Sequence, residues 1–120
     1  MQLTPKQIDL LTRRSIVAFA TADSKGKSRV IIVEANKAEG DKIIITDNEM
    51  LTTKNNILEN NQVAISANEA DYSYCLKITG TAEYQTTGEY FEYVKNVEGN
   101  KTRNPKGVIV ITLTEVLEVN

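Results

Sequence analysis

The chain has 120 residues, 41% hydrophobic and 25% charged, enough apolar side chain for the core of one soluble globular domain. A net charge of −2, with 14 basic residues scattered among 16 acidic ones, leaves no cationic footprint, so no nucleic-acid partner is expected. The chain has no histidine and one cysteine, Cys75, which excludes imidazole bases, histidine triads, the common zinc sites and an intrachain disulfide. Any chemistry must then use carboxylates, hydroxyls, lysines, tyrosines or a cofactor with its own reactivity.

Residues 1–14 lack the apolar core of a signal peptide, and the apolar runs are of strand length, so a cytoplasmic protein without a membrane partner is expected. The first predicted element is a helix. Thr4 is placed to cap it, Pro5 to occupy its first position, Gln7 to complete a capping box, and Leu3 to staple onto Ile8. Ile8 and Leu11 give this helix its apolar stripe. Residues 16–22 read as a strand, and Asp23-Ser24-Lys25-Gly26 as a tight turn with glycine where positive φ is needed. The partner strand, 29–35, carries the near-continuous run Val30-Ile31-Ile32-Val33, which predicts burial on both faces, as in a barrel wall or a dimer interface.

Glu39-Gly40-Asp41 turns the chain into a buried third strand, 42–46. A polar turn, Asp47-Asn48-Glu49, then leads to a helix over 52–60 whose first turn holds Thr52, Thr53 and Lys54. Free backbone N–H groups, the helix dipole, two hydroxyls and an ammonium make that start a candidate phosphate site, although the same residue types also cap helices for stability alone. There is neither a P-loop nor a G-x-G-x-x-G fingerprint.

Residues 62–68 alternate as a half-buried strand, and 73–86 keep strand character across Gly80, which marks a bulge or bend. Thr87-Gly88-Glu89 opens a third helix with Tyr90, Val94 and Val97 on one face; a polar loop over 98–106 leads to strand 108–113 and a short last strand, 116–119. About six strands with short turns and three short helices predict a mainly β, antiparallel small barrel in one domain. Such a barrel fills its own interior, so a bulky ligand would bind on the outer wall, in a cleft completed by a second subunit.

Four segments in this order, IVAFATADSKGKSRVIIV, GDKIIITDNEMLTTKNNILENNQVAIS, LKITGTAEYQTTGEYFE and PKGVIVITLTEVLEV, resemble the pyridoxamine 5′-phosphate oxidase-like, FMN-binding split-barrel family. The resemblance implies a six-stranded antiparallel split β-barrel with Greek-key order and a homodimer holding FMN between its subunits. Carried over by position, Arg29, Val30, Ile31, Ile32 and Val33 would contact the phosphate or flank the isoalloxazine. Thr46 and Asp47 would reach the ring and ribityl groups, and Thr52, Thr53 and Lys54 would hold the phosphate.

The departures are informative too. Thr52-Thr53 stands where relatives often carry a basic residue, so charge for the phosphate would come from Lys54, Arg29, or a partner-chain Arg103 or Lys106. Cys75 replaces a glutamine that faces the flavin in pyridoxamine phosphate oxidases, and the sequence given stops at Asn120, ahead of their C-terminal substrate segment. The resemblance therefore implies a small FMN oxidoreductase or electron carrier that does not oxidise vitamin B6. The alternatives are a deazaflavin (F420) reductase and a dimer that has lost its cofactor. Cys75 itself reads most simply as a small buried hydrophobe, and the tyrosines as core or interface packing.

Overall fold

The computed structural model describes residues 2–13 and 16–119. Helix α1 (Pro5–Arg13) forms as its capping residues dictate: the Thr4 N–H donates to Gln7 Oε1 (2.9 Å) and the Gln7 N–H to Thr4 Oγ1 (3.2 Å). Its buried stripe is Gln7, Leu10 and Leu11, one face of an i, i+3, i+4 set, while Ile8 is only partly buried. Leu3 is anchored by its N–H to the Gly40 carbonyl at 2.7 Å.

Strands β1 (Val17–Ala22) and β2 (Ser28–Val33) form the predicted hairpin, in register from Val17 opposite Val33 to Ala22 opposite Ser28. Asp23 builds its turn by accepting the N–H groups of Lys25 and Lys27, each at 2.9 Å, and Gly26 takes φ +85°. A second hairpin joins β3 (Lys37–Glu39) to β4 (Lys42–Asp47). Then follow α2 (Leu51–Glu59), β5 (Gln62–Asn68), β6 (Cys75–Gln85), α3 (Glu89–Lys95), a 3₁₀ turn (Glu98–Asn100) and β7 (Gly107–Val119).

Seven strands, not six, make one antiparallel sheet in the order β2-β1-β5-β6-β7-β4-β3. The added strand is β3, three residues of Lys-Ala-Glu, too short and too charged to show a period of two. Conversely, residues 108–113 and 116–119 belong to one strand, β7. The interruption between them is a bulge: Thr79 faces Glu115 and Gly80 faces Leu113, which leaves Thr114 as the extra residue. Gly80 therefore marks the irregularity as expected, but the inserted residue lies on β7. The three meander strands β5-β6-β7 with β4 returning beside β7 give the Greek-key order, and β2 and β3 remain as free edges, so the barrel is split rather than closed.

One core collects Phe19 of β1, Ile43 and Ile45 of β4, Ile65 of β5, Leu76 and Ile78 of β6 and Ile111 of β7, with Leu10 and Leu11 of α1. Strands from both ends of the sheet feed it, so the sheet must curl around it. A second, smaller cluster, Ile44, Val94, Val108 and Val110, lies where α3 covers the opposite face of β4 and β7. That is why Ile43, Ile44 and Ile45 are all 0% exposed and why β4 reads as an unbroken apolar run. No helix among the described residues is long and apolar enough to cross a membrane.

Candidate functional site

Where β2 ends and α2 begins, the chain leaves a cleft of about 480 Å³, lined by Ile32 and Val33 from β2, Asn36, Thr46 at the end of β4, and Asn48 and Met50 ahead of α2. Asn100 of the 3₁₀ turn and Arg103 of the segment between that turn and β7 close the other side, with Glu34 and Glu49 at the rim. Asp47 shapes this corner. Its carboxylate accepts the Met50 N–H at 2.8 Å and the Tyr84 hydroxyl, and its carbonyl accepts the Lys106 N–H at 2.8 Å. Burial and the Asp47 carboxylate together push the Tyr84 hydroxyl well above its ordinary pKa, so it stays a proton donor to Asp47.

The floor of the cleft is a carboxamide network. Asn36 Oδ1 accepts both the Thr46 N–H (3.1 Å) and the Thr46 hydroxyl (2.6 Å). Asn100 Nδ2 donates to Thr46 Oγ1 (2.9 Å) and to the Val94 carbonyl (2.8 Å), and Asn48 Nδ2 donates to Asn100 Oδ1 (3.2 Å). Lys106 Nζ donates to the Asn48 carbonyl at 2.7 Å. Within this chain Arg103 lines the cleft and Lys106 reaches it only through the Asn48 carbonyl.

The residues proposed for the phosphate are spread around α2. Successive helical residues project about 100° apart, so three in a row cannot converge on one point. Thr52 is exposed, Thr53 is 3% exposed against the core, and Lys54 holds its ammonium 5.0 Å from the centre of the Tyr84 ring. Met50 begins the helix without a side-chain cap. Arg29 is exposed on β2 opposite Thr21, whose hydroxyl accepts from Asn56 Nδ2 of α2 at 3.0 Å. Ile31 and Val33 turn toward the core, whereas Val30 and Ile32 are 64% and 68% exposed. Burial of β2 on both faces is therefore not complete within this chain. Val30 and the exposed Leu117 edge an apolar groove of about 390 Å³ floored by Ala18, Ala20 and Ala64, and Val119 is exposed as well.

The sequence model of the family described as pyridoxamine 5′-phosphate oxidase matches residues 3–120. The chain belongs to this oxidase family. A relative, an uncharacterized protein of Methanocaldococcus jannaschii, is 38% identical over 122 residues, 97% of this chain and 80% of that one. Among solved structures, HupZ of Group A Streptococcus superposes with a TM-score of 0.85 at 26% identity, over 98% of this chain and 94% of that one. An FMN-binding protein from Syntrophomonas wolfei subsp. wolfei shares the fold at TM-score 0.79 and 16% identity, covering 94% and 83% of the two chains. An F420 reductase shares it at 0.71 and 21%, covering 95% and 98%.

Within this oxidase-family fold, the cleft gathers Ile32, Val33 and Thr46 of the predicted residues. Asn36 and Asn100 escaped the sequence reading, because an asparagine in a polar loop carries the same signal whether it makes a turn or floors a cleft. Cys75 opens β6, partly buried between Asn68 and Val119, and lines neither cavity. Among the described residues no cluster of carboxylates and cysteine could hold a metal ion.

Proposed function

We propose that this chain is a flavin-binding member of its family, an oxidoreductase or electron carrier that holds FMN on the outer wall of the split barrel at a homodimer face. The observation that carries the reading is the cleft between β2 and α2, where apolar Ile32, Val33 and Met50 face the carboxamides of Asn36, Asn48 and Asn100. A flat heteroaromatic ring with a polar edge matches that lining. Bound FMN supplies the one- or two-electron chemistry; the chain supplies binding and orientation. Ile32 and Val33 with Thr46, which line the cleft, would flank the ring, with Val30 and Ile31 continuing the same strand. Asp47, its side chain engaged by Met50 and Tyr84, would contribute by placing the turn. Arg29 and Lys54 would serve the phosphate with their charge, and Thr52 and Thr53 with their free backbone N–H groups at the helix start. The exposed Val30, Ile32, Leu117 and Val119 supply the apolar surface that a second copy would cover.

The visible absorption spectrum of the purified protein tests the cofactor. A yellow preparation that releases FMN on denaturation is the expected result, and a colourless one that shows no change on titration with FMN refutes it. Loss of affinity in Lys54→Ala or Arg29→Ala locates the phosphate; unchanged affinity in both removes those residues from the site. The deazaflavin F420 is favoured instead by one feature, the hydroxyl pair Thr52-Thr53 where a compact phosphate would draw basic residues, and its absorption distinguishes it.

A further inference from the structure

The carboxamide network has its direction fixed by the backbone at both ends. The atom of Asn36 that meets the Thr46 N–H must be oxygen, so the Thr46 hydroxyl, 2.6 Å from it, donates as well and keeps its lone pairs for Asn100. The atom of Asn100 that meets the Val94 carbonyl must be nitrogen, so its oxygen turns to Asn48. Asn48 has to answer with its amide nitrogen. Its Oδ1 is left buried without a hydrogen-bond partner, the one such side-chain atom among the described residues. Turning the Asn48 amide over would set two oxygens against each other. An acceptor left over by a network so fully constrained calls for a donor from outside it.

We infer that Asn48 Oδ1 receives the imide N–H of the pyrimidine ring of a flavin or deazaflavin. This rests on the flavin reading above and assigns which end of the cofactor the cleft takes. The cleft wall beside Asn48 is Ile32, Val33 and Met50, suited to a ring rather than to a polyol, and Arg29, Thr52 and Lys54 do not line it. Glu49 and Arg103 are exposed side chains that line the same cleft as Asn48. Arg103 could then donate to a ring carbonyl flanking the imide. The imide is common to both cofactors, so Asn48 would accept either and disfavour a ring that lacks the N–H.

The test is titration of the purified protein with FMN and with 3-methyl-FMN, which lacks that proton. The wild type is expected to bind FMN about tenfold more tightly, and Asn48→Ala to bind the two alike. Without ligand, Asn48→Ala should unfold somewhat below the wild-type midpoint, because the buried Asn100 Oδ1 loses its donor, so the comparison of the two ligands is made within each protein. Equal affinities in the wild type, or a preference that persists in Asn48→Ala, would overturn the assignment while leaving FMN binding in place. A wild type that binds neither compound overturns the flavin reading, and this inference falls with it.

Discussion

Gly80 offers the sharpest test of how the sheet is held. A methyl group added there would sit 2.5 Å from the Thr112 carbonyl oxygen and 2.9 Å from Ile111 Cγ2. The first of these neighbours is backbone, and it belongs to β7, the strand paired with β6 across the bulge, so no side-chain rotation relieves the clash. Alanine would return about 0.5–1 kcal/mol of backbone entropy, whereas overpacking costs about 1–3 kcal/mol and more when the backbone itself must move. The expected net loss for Gly80→Ala is about 2–3 kcal/mol, or a thermal midpoint lower by about 10 °C in a chain of this size. Gly99→Ala is the matched control, since nothing lies within 4 Å of its added carbon and its φ is not in the left-handed region. Thermal unfolding followed by circular dichroism reads both. If Gly80→Ala melts within about 1 °C of the parent, the close approach of β6 and β7 is not a constraint on the fold.

Gly107→Ala should push Tyr84 aside, because the new carbon would fall 2.5 Å from its ring and hydroxyl; the expected signs are a changed tyrosine near-ultraviolet signal and a lower urea midpoint. Ile32→Glu places a charge on the most exposed apolar position of β2, and sedimentation should show it shifting a dimer to monomer, with the parent's mass unchanged only if that face is not the interface. Tyr74 donates its hydroxyl to Glu118, and burial followed by that carboxylate raises its pKa from 10.0 to about 12, with Tyr84 displaced in the same direction. Both hydroxyls are neutral in folded and unfolded chains below about pH 10, so their contribution is complete there; above it the unfolded chain ionises first, and stability should fall toward pH 12. The Tyr74→Phe, Tyr84→Phe double variant should flatten that slope in urea titrations.

Local chemistry made much of the fold legible. The Thr4–Gln7 capping box, the Asp23–Gly26 turn, strand β5 and the Gly80 irregularity follow from residues within a few positions of one another. What escaped depends on partners distant in sequence. β3 exists because β4 offers it an edge, and β7 runs on through polar Thr114 and Glu115 because β6 pairs with it on both sides of the bulge. The same division holds at the site. The family resemblance was enough to nominate Ile32, Val33 and Thr46, but the facing of Thr53 into the core and of Lys54 over Tyr84 depends on where α2 lands. Asn100 reaches Thr46 across 54 positions, a pairing that no window of sequence displays.

The placement of β7 between β6 and β4 also bears on the order in which the molecule can form. The β1–β2 and β3–β4 hairpins need only short loop closures, which are fast. β4, however, has its long partner in β7, from Lys42 opposite Thr112 to Asp47 opposite Gly107, so Ile43, Ile44 and Ile45 stay without that cover until nearly all of the described chain has been made. Pairing over such separations is entropically slow, and an apolar strand waiting for it is a target for chaperones or for its own copies. Kinetic trouble in this protein should therefore concentrate at β4, and solubility during expression should respond to that strand more than to the cleft.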